Sequence, residues 1–412
     1  MTDLERRLDA LAELLRRHAA IWRPRAFYGL PLPWEAEHPD VVAFLDARTT
    51  GEEGATDAVD WTDGGPATLR RWATGAAAVA TLPPLDTVPA PLPTTDHMNG
   101  RKGPQIGAFV GAVLPRLPRD GARIVDWCAG KSHLGRSLAA VTGLPLLAIE
   151  RDPALCEAGR ALAAEAGVHA RFVEADALEP ATAAALEPDT AVMALHACGD
   201  LHAALIDGAR SSFIALAPCC YSRALLPNGQ ARLLSRRAQA HADGAVAPGV
   251  GPAVAALVID EADLRLIHER PSSTGAREAG QVLRRQAYRL GFDAWHQATR
   301  GATRYRPMPA FPPRWADAPF PDFCRRFAEI GDIAPPTERD DELLPYLAAG
   351  EARLDEVRRR DPVRALFRGA LEAFLVLDRA LALAERGYVV DVGAFCDRDV
   401  TPRNALIRAV RT

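Results

Sequence analysis

The sequence predicts an α/β protein built on a largely parallel sheet that ends in an antiparallel element. Two patterns carry that expectation. Between residues 96 and 221, five short apolar runs alternate with helical segments, which is the rhythm of parallel strands joined by crossover helices. Near the end, the runs 388–395 and 404–410 follow each other too closely for a crossover, so they pair as an antiparallel hairpin.

Taken in order, the chain opens with Thr2 and Glu5 in capping-box spacing, followed by Leu4, Leu8, Leu11 and Leu15 at helical intervals, an amphipathic helix. The Pro-rich stretch 82–93 reads as a strap or linker, and 1–95 as a mostly helical N-terminal region. Residues 96–221 form the candidate core. Its strand candidates are 123–127, 144–150, 171–176, 191–196 and 213–217. They are apolar throughout, as expected of strands covered by helices on both faces. Asp152 followed by Pro153 marks a helix start, and Gly167 its end. Residues 222–360 lose the alternation and read as a helical, Arg-rich insertion. At Asp361-Pro362 a further helix is expected to begin, leading through 361–412 into the final hairpin.

Length and composition narrow the class. The chain has 412 residues, 48% hydrophobic and 25% charged, which fits a folded soluble protein and not a disordered one. Its net charge of −4 gives no general attraction to nucleic acid or anionic lipid. No run is long and apolar enough for a membrane helix, and the N-terminus shows no signal pattern. Seven cysteines, two adjacent, do not form a disulfide framework in a chain this long, so a reducing cytoplasm is expected. Charge is uneven. Residues 223–306 hold 13 arginines against seven acids, which suggests either an anionic partner such as RNA or helix faces laced with solvated Arg–Glu pairs. Of 49 basic residues only Lys102 and Lys131 are lysines, and both fall in the core segment.

The turn after the first strand, Asp126-Trp-Cys128-Ala-Gly130-Lys131-Ser-His-Leu-Gly135, has the form of a ligand-binding strand-to-helix turn. Three cofactor types compete for it. A P-loop requires a glycine where Val125 stands. A dinucleotide fingerprint requires glycines where Cys128 and His133 stand. S-adenosyl-L-methionine has a cationic sulfonium that an acid such as Asp126 can face, and it needs fewer glycines. The next two strand ends point the same way. Glu150 can accept ribose hydroxyls and Asp176, followed by Ala177, the adenine amino group. Acids at three successive strand ends favour a cation over a polyphosphate. The fourth strand ends in His196-Ala-Cys198-Gly-Asp-Leu201 and the fifth in Pro218-Cys219-Cys220-Tyr221. Cys219 could be a thiolate nucleophile. Alternatively, His196, Cys198, Cys219 and Cys220 could gather a metal, or all could be small residues shaping a pocket floor. Adjacent cysteines on one strand point apart, which argues against all four binding one ion. His196 and Tyr221 are the expected residues on the acceptor side. Arg101 and Lys102 stand ready to contact an anionic substrate or the cofactor carboxylate.

Together, His196-Ala-Cys-Gly-Asp-Leu201, Pro218-Cys-Cys-Tyr221, Asp126-x-Cys-Ala-Gly-Lys131 and Asp397-x-x-x-Thr-Pro-Arg-Asn404 resemble the "ribosomal RNA adenine dimethylase domain-containing" and related methyltransferase-like proteins. The resemblance covers about 96–221 and 361–412. It implies a Rossmann-like, seven-stranded class I methyltransferase sheet with an antiparallel last strand. It further implies S-adenosyl-L-methionine held by Asp126, Cys128, Gly130, Lys131, Glu150, Asp176, Ala177 and His196. Asn404 joins Arg101 and Lys102 as a substrate contact, and the family name implies an RNA acceptor. That family usually has Gly where Ser132 stands. A protein side chain or small metabolite as acceptor, or a non-catalytic binding module on the same fold, are the alternatives. No metal is expected.

Overall fold

A computed structural model describes residues 1–48, 61, 65–90, 98, 100, 102–118, 122–184, 186–244, 255–268 and 276–411. Seven strands form one sheet: β1 (Arg123–Trp127), β2 (Leu146–Glu150), β3 (Ala170–Glu174), β4 (Thr190–Cys198), β5 (Phe213–Cys219), β6 (Tyr388–Ala394) and β7 (Ala405–Arg411). Their order across the sheet is β3-β2-β1-β4-β5-β7-β6. The pairs from β3 to β5 are parallel, whereas β7 runs antiparallel to both neighbours. This is the class I methyltransferase fold that the resemblance implies, with the parallel run and final hairpin that the strand spacing predicts. β1 lies between β2 and β4, so the chain reverses its direction of travel there. The crevice beyond the carboxyl ends of such strands is where open α/β sheets bind ligands.

Local sequence explains these elements. Thr2 and Glu5 form the capping box, with Thr2 N–H donating to Glu5 at 2.6 Å and Glu5 N–H to Thr2 at 3.2 Å. Asp152 accepts from Ala154 N–H at 2.9 Å and starts helix Pro153–Glu165. The helices covering the sheet bury Phe109, Val110, Leu138 and Ile106 against Ile124, Met193 and Phe213.

Backbone contacts divide the chain into two units. One contains Met1–Arg16, Val79–His268 and Gly369–Thr412, and therefore the whole sheet. The first helix belongs with it because Asp9 accepts from Arg237 Nε at 2.9 Å and hydrogen-bonds His241 Nε2 at 2.8 Å. The other unit contains Arg17–Ala78 and Glu269–Arg368, so the Arg-rich stretch 223–306 is shared between the two. That second unit has its own aromatic core of Tyr288, Phe292, Trp295, Phe320, Phe323 and Phe327. The helix expected to begin at Asp361-Pro362 does not start there. One helix runs through from Asp340 to Ala365 with Pro345 and Pro362 inside it, and the next spans Arg368–Ala384. Side-chain partners on both sides hold the longer helix in place: Arg353 pairs with Asp293 at 2.7 Å, and Arg360 with Asp46 at 2.7 Å.

In the sheet unit a buried ionic knot ties helix Asp200–Asp207 to helix Arg368–Ala384. Asp378 accepts from Ser235 N–H at 2.8 Å and Ser235 Oγ at 2.9 Å, and pairs with Arg379 at 2.7 Å. Arg379 Nε donates to His202 Nε2 at 3.2 Å, and His202 Nδ1 donates to the Ala197 carbonyl at 3.0 Å. Burial, then the Arg379 charge, pushes His202 down to about 3. A depressed imidazole contributes stability that is fully present above its unfolded value near 6.5 and is lost as pH falls toward 3. We expect about 1.4 kcal/mol of lost stability per pH unit in that window. The measurement is the difference in urea midpoint between wild type and His202→Gln across pH 4–7; a pH-independent difference would contradict it.

Candidate active site

The turn after β1 is built around a buried acid. Asp126 is 4% exposed. One of its oxygens, Oδ2, accepts from Ser132 Oγ at 2.7 Å and from Gly135 N–H at 2.9 Å. Cys128, Gly130 and Ser132 all adopt positive φ (59°, 56° and 52°), which folds the turn tightly at a cost for the two non-glycine residues. The position where the resembled family has glycine is thus one that favours glycine, and Ser132 offsets the strain with its bond to Asp126. Gly135 admits no side chain, because a Cβ there would lie 2.6 Å from Leu146 and 2.8 Å from Asp126. Burial pushes Asp126 up to about 6, against the pull of Ser132, Gly135 and the Lys102 and Arg136 charges.

Beyond the turn lies a cleft of about 340 Å³ lined by Cys128, Glu150, Asp176, Ala177, Cys198 and Asp200, together with Ile149, Arg151, Ala175, Leu178, Leu201 and Arg223. This size suits a nucleoside-sized ligand. Glu150, at the end of β2, accepts from Gly130 N–H at 2.8 Å and from Arg151 N–H and Asp152 N–H at 3.0 and 3.1 Å. Its carboxylate therefore joins two strand ends at the rim of the cleft. Asp176 follows β3 and accepts from Leu178 N–H at 2.9 Å. Leu178, 47% exposed, offers an apolar wall beside it. Three acids against two arginines leave the lining net negative, suited to a cationic ligand.

The structure separates the expected site residues. Cys128, Glu150, Asp176 and Ala177 line the cleft, with Gly130 bonded to its rim. Asp126 is not in the lining; it lies buried beneath the turn. Lys131 is exposed and outside the lining. His196, expected in the cofactor site, also stands outside the cleft, in a positive-φ conformation at the β4 bulge. There its Nε2 donates to Gln105 Oε1 at 3.1 Å while Gln105 donates to the Val400 carbonyl at 3.2 Å. Its ring is held below the usual imidazole range by burial, then by Arg403 and Lys102. Tyr221, expected at the acceptor side, is 1% exposed. Its ring lies 5.3 Å from the Arg379 guanidinium and edge-on to His202, so it belongs to the ionic knot. Asn404 lines a separate cavity of about 160 Å³ with Glu372 and Arg398. Lys102 is exposed at the start of helix Lys102–Val113. Arg101 lies outside the described residues.

Cys219, expected as a nucleophile, is buried. Its thiol hydrogen-bonds Cys198 Sγ at 3.4 Å. That bond and burial push Cys219 far above the usual thiol range, and the same bond pulls Cys198 down to about 6. Cys219 therefore stays protonated. Cys128 is pushed up to about 12 by burial and by Glu150, Asp126 and Asp176. Sequence reasoning missed Asp200, Leu201 and Arg223 as lining residues. The first two stand in the His196–Leu201 motif but had been given no role. Arg223 comes close because Gly199, at φ 57°, leaves no room for a Cβ, which would lie 2.4 Å from Arg223 Cβ.

The fold is that of a class I methyltransferase. Residues 101–225 match a family described as a methyltransferase domain, a span that runs from just before helix Lys102–Val113 through β5 and Arg223. No curated protein matches the chain in sequence. Among the described residues no helix is long and apolar enough to cross a membrane.

The buried acid makes a pH prediction. A bound cation favours the ionised form of Asp126, so affinity for a cationic ligand should rise with pH across the window around 6 and then level off. We expect up to about tenfold weaker binding per pH unit below 6. Asp126→Asn, which retains an acceptor for Ser132 and Gly135, should flatten the profile. Titration calorimetry between pH 5 and 8 measures this directly.

Proposed function

We propose that the chain is an S-adenosyl-L-methionine-dependent methyltransferase acting by direct displacement on an anionic acceptor, with RNA (tRNA or rRNA) the class implied by the sequence resemblance, in the cytoplasm. The observation that carries this reading is the placement of Glu150 and Asp176, from successive strand ends, in one net-negative cleft at the β1/β4 switch point. Glu150 would hold the ribose hydroxyls, Asp176 the adenine amino group beside Leu178, and the Gly130 turn the methionine end, with Asp126 adding charge from below. Bound there, the cofactor supplies an electrophilic methyl group on a positively charged sulfur. The chain contributes chiefly alignment. With Nε2 donating to Gln105, His196 carries its lone pair on Nδ1 and is neutral at pH 7, so it can accept a proton from the acceptor. Lys102 and Arg403, the cations that act on His196, favour an anionic acceptor at that side. The arginines of 223–306 offer less support: Arg232 pairs with Asp200 and Asp207, Arg237 with Asp9 and Arg265 with Glu261.

The test is calorimetric titration with S-adenosyl-L-methionine, then incubation with the methyl-labelled cofactor and extract from cells lacking the protein. We expect saturable binding at one site per chain and label in the RNA fraction. No binding at millimolar cofactor would end the cofactor reading. Label in protein or small molecules would overturn the RNA acceptor alone.

A further inference from the structure

Three sulfur atoms come together beside the cleft, which Cys198 alone of the three lines. Cys198 Sγ, Cys219 Sγ and Cys220 Sγ all lie within 4.8 Å of one another, and the Cys198–Cys219 pair is 3.4 Å apart. Strand alternation alone would separate them, since neighbours on one strand point to opposite faces. Two backbone departures defeat it. β4 is bulged between Leu195 and Cys198, with His196 at φ 63°, so that Cys198 comes into register with Cys219. β5 stops at Cys219, and Cys220 takes a left-handed conformation at φ 49°, turning its side chain back toward its neighbour's. Gly199 N–H, donating to the Cys219 carbonyl at 3.2 Å, holds the two strand ends together. Non-glycine residues in this conformation cost on the order of 1 kcal/mol each, a cost with no evident purpose if the thiols only fill space.

We propose that Cys198, Cys219 and Cys220 form a zinc site with its fourth position open. Four thiolates about 2.3 Å from a tetrahedral zinc would stand roughly 3.8 Å apart, so the observed spacing needs only a small contraction. Three protein ligands leave one position for water or an incoming group, the pattern of reactive rather than closed structural zinc sites. Soft sulfur donors select zinc over magnesium or calcium. Binding releases the thiol protons, and three thiolates around Zn²⁺ carry a net charge of −1. Two guanidinium groups, Arg223 and Arg403, act on Cys198 and favour its thiolate. Cys219 is buried while Cys198 and Cys220 are half-buried, and Cys198 lines the cleft, which gives the ion a route in. His196, with its ring turned to Gln105, is not a ligand. The site goes beyond the cofactor assignment, which needs no metal.

The experiment uses the full chain, reduced and freed of metal with a chelator, titrated with Co²⁺ and then Zn²⁺ and followed by absorption spectroscopy. We expect one Co²⁺ per chain, an intense near-ultraviolet sulfur-to-cobalt charge-transfer band, the visible bands of a tetrahedral ion, and displacement by Zn²⁺. Cys198→Ser, Cys219→Ser and Cys220→Ser should each weaken binding at least about tenfold. Cys396→Ser, outside the cluster, should bind as wild type. Thermal unfolding of each variant separates a lost ligand from a lost fold; if one variant is unfolded, the other two carry the test. Absence of the charge-transfer band with Co²⁺ in excess, or its persistence in all three folded variants, overturns the proposal. Cofactor titration of the metal-free protein is read separately, so cofactor binding together with a failed Co²⁺ titration would sink this site and leave the methyltransferase reading standing.

Discussion

Glu150→Ala should abolish measurable binding of S-adenosyl-L-methionine, with a loss of about 100-fold or more. The variant removes an ionised acceptor for two hydroxyls, and hydrogen bonds to charged groups contribute about 1.5–3 kcal/mol each. It also releases Gly130 N–H, which Glu150 holds at 2.8 Å, so the methionine turn loosens with it. Glu150→Gln keeps one acceptor oxygen and should lose about tenfold. The demethylated product, S-adenosyl-homocysteine, shares the ribose and should suffer equally. Asp126→Asn should behave differently, weakening the cationic cofactor more than the neutral product. Calorimetry with both ligands on all three variants distinguishes contact from charge. Equal loss for both ligands in Asp126→Asn would remove the electrostatic role assigned to that residue.

The second large effect concerns stability. Asp378→Ala should destabilise the sheet unit by about 3–5 kcal/mol, because it leaves Arg379, 1% exposed, as an uncompensated buried charge. It also strips partners from Ser235 and Leu234, whose N–H groups donate to Asp378. Replacing both charges, Asp378→Leu with Arg379→Met, should cost less than the two single changes summed. Urea denaturation of the four proteins completes the cycle; strict additivity would mean that the pair is not coupled.

Much of the sheet could be read from the chain because its strands are short apolar runs whose helices begin with strong local signals, such as Asp152 before Pro153. Glu150 was legible for the same reason, since a strand end fixes where its last residue points, whereas Asp176 lies two residues past the end of β3 and was legible only as an acid close to a strand end. Asp126 was found but its role was not: nothing local says that Ser132 and Gly135 would occupy its oxygens. Pro362 misled because an Asp-Pro pair has the same local form at a helix start as inside a helix that distant partners, here Glu35 and Asp46 on Arg360, keep going. Positive φ at His196 and Cys220 could not be foreseen in residues other than glycine. These two conformations moved His196 out of the cleft and brought the sulfurs together. The second unit's aromatic core was missed because its members sit on separate helices with no alternation to reveal them.

The position of β7 has a consequence for biogenesis. Its partner β5 is buried along its whole length, and Arg408 of β7 donates to the Ala112 carbonyl at 2.7 Å and pairs with Asp86 and Asp391 beneath the sheet. During synthesis, β5 emerges long before β7, with the entire stretch 269–368 made in between. Until then a sticky, hydrogen-bond-hungry margin faces solvent. The nascent polypeptide must therefore be shielded by a chaperone or by its own earlier segments, and truncation upstream of β7 should yield insoluble material rather than a smaller working enzyme.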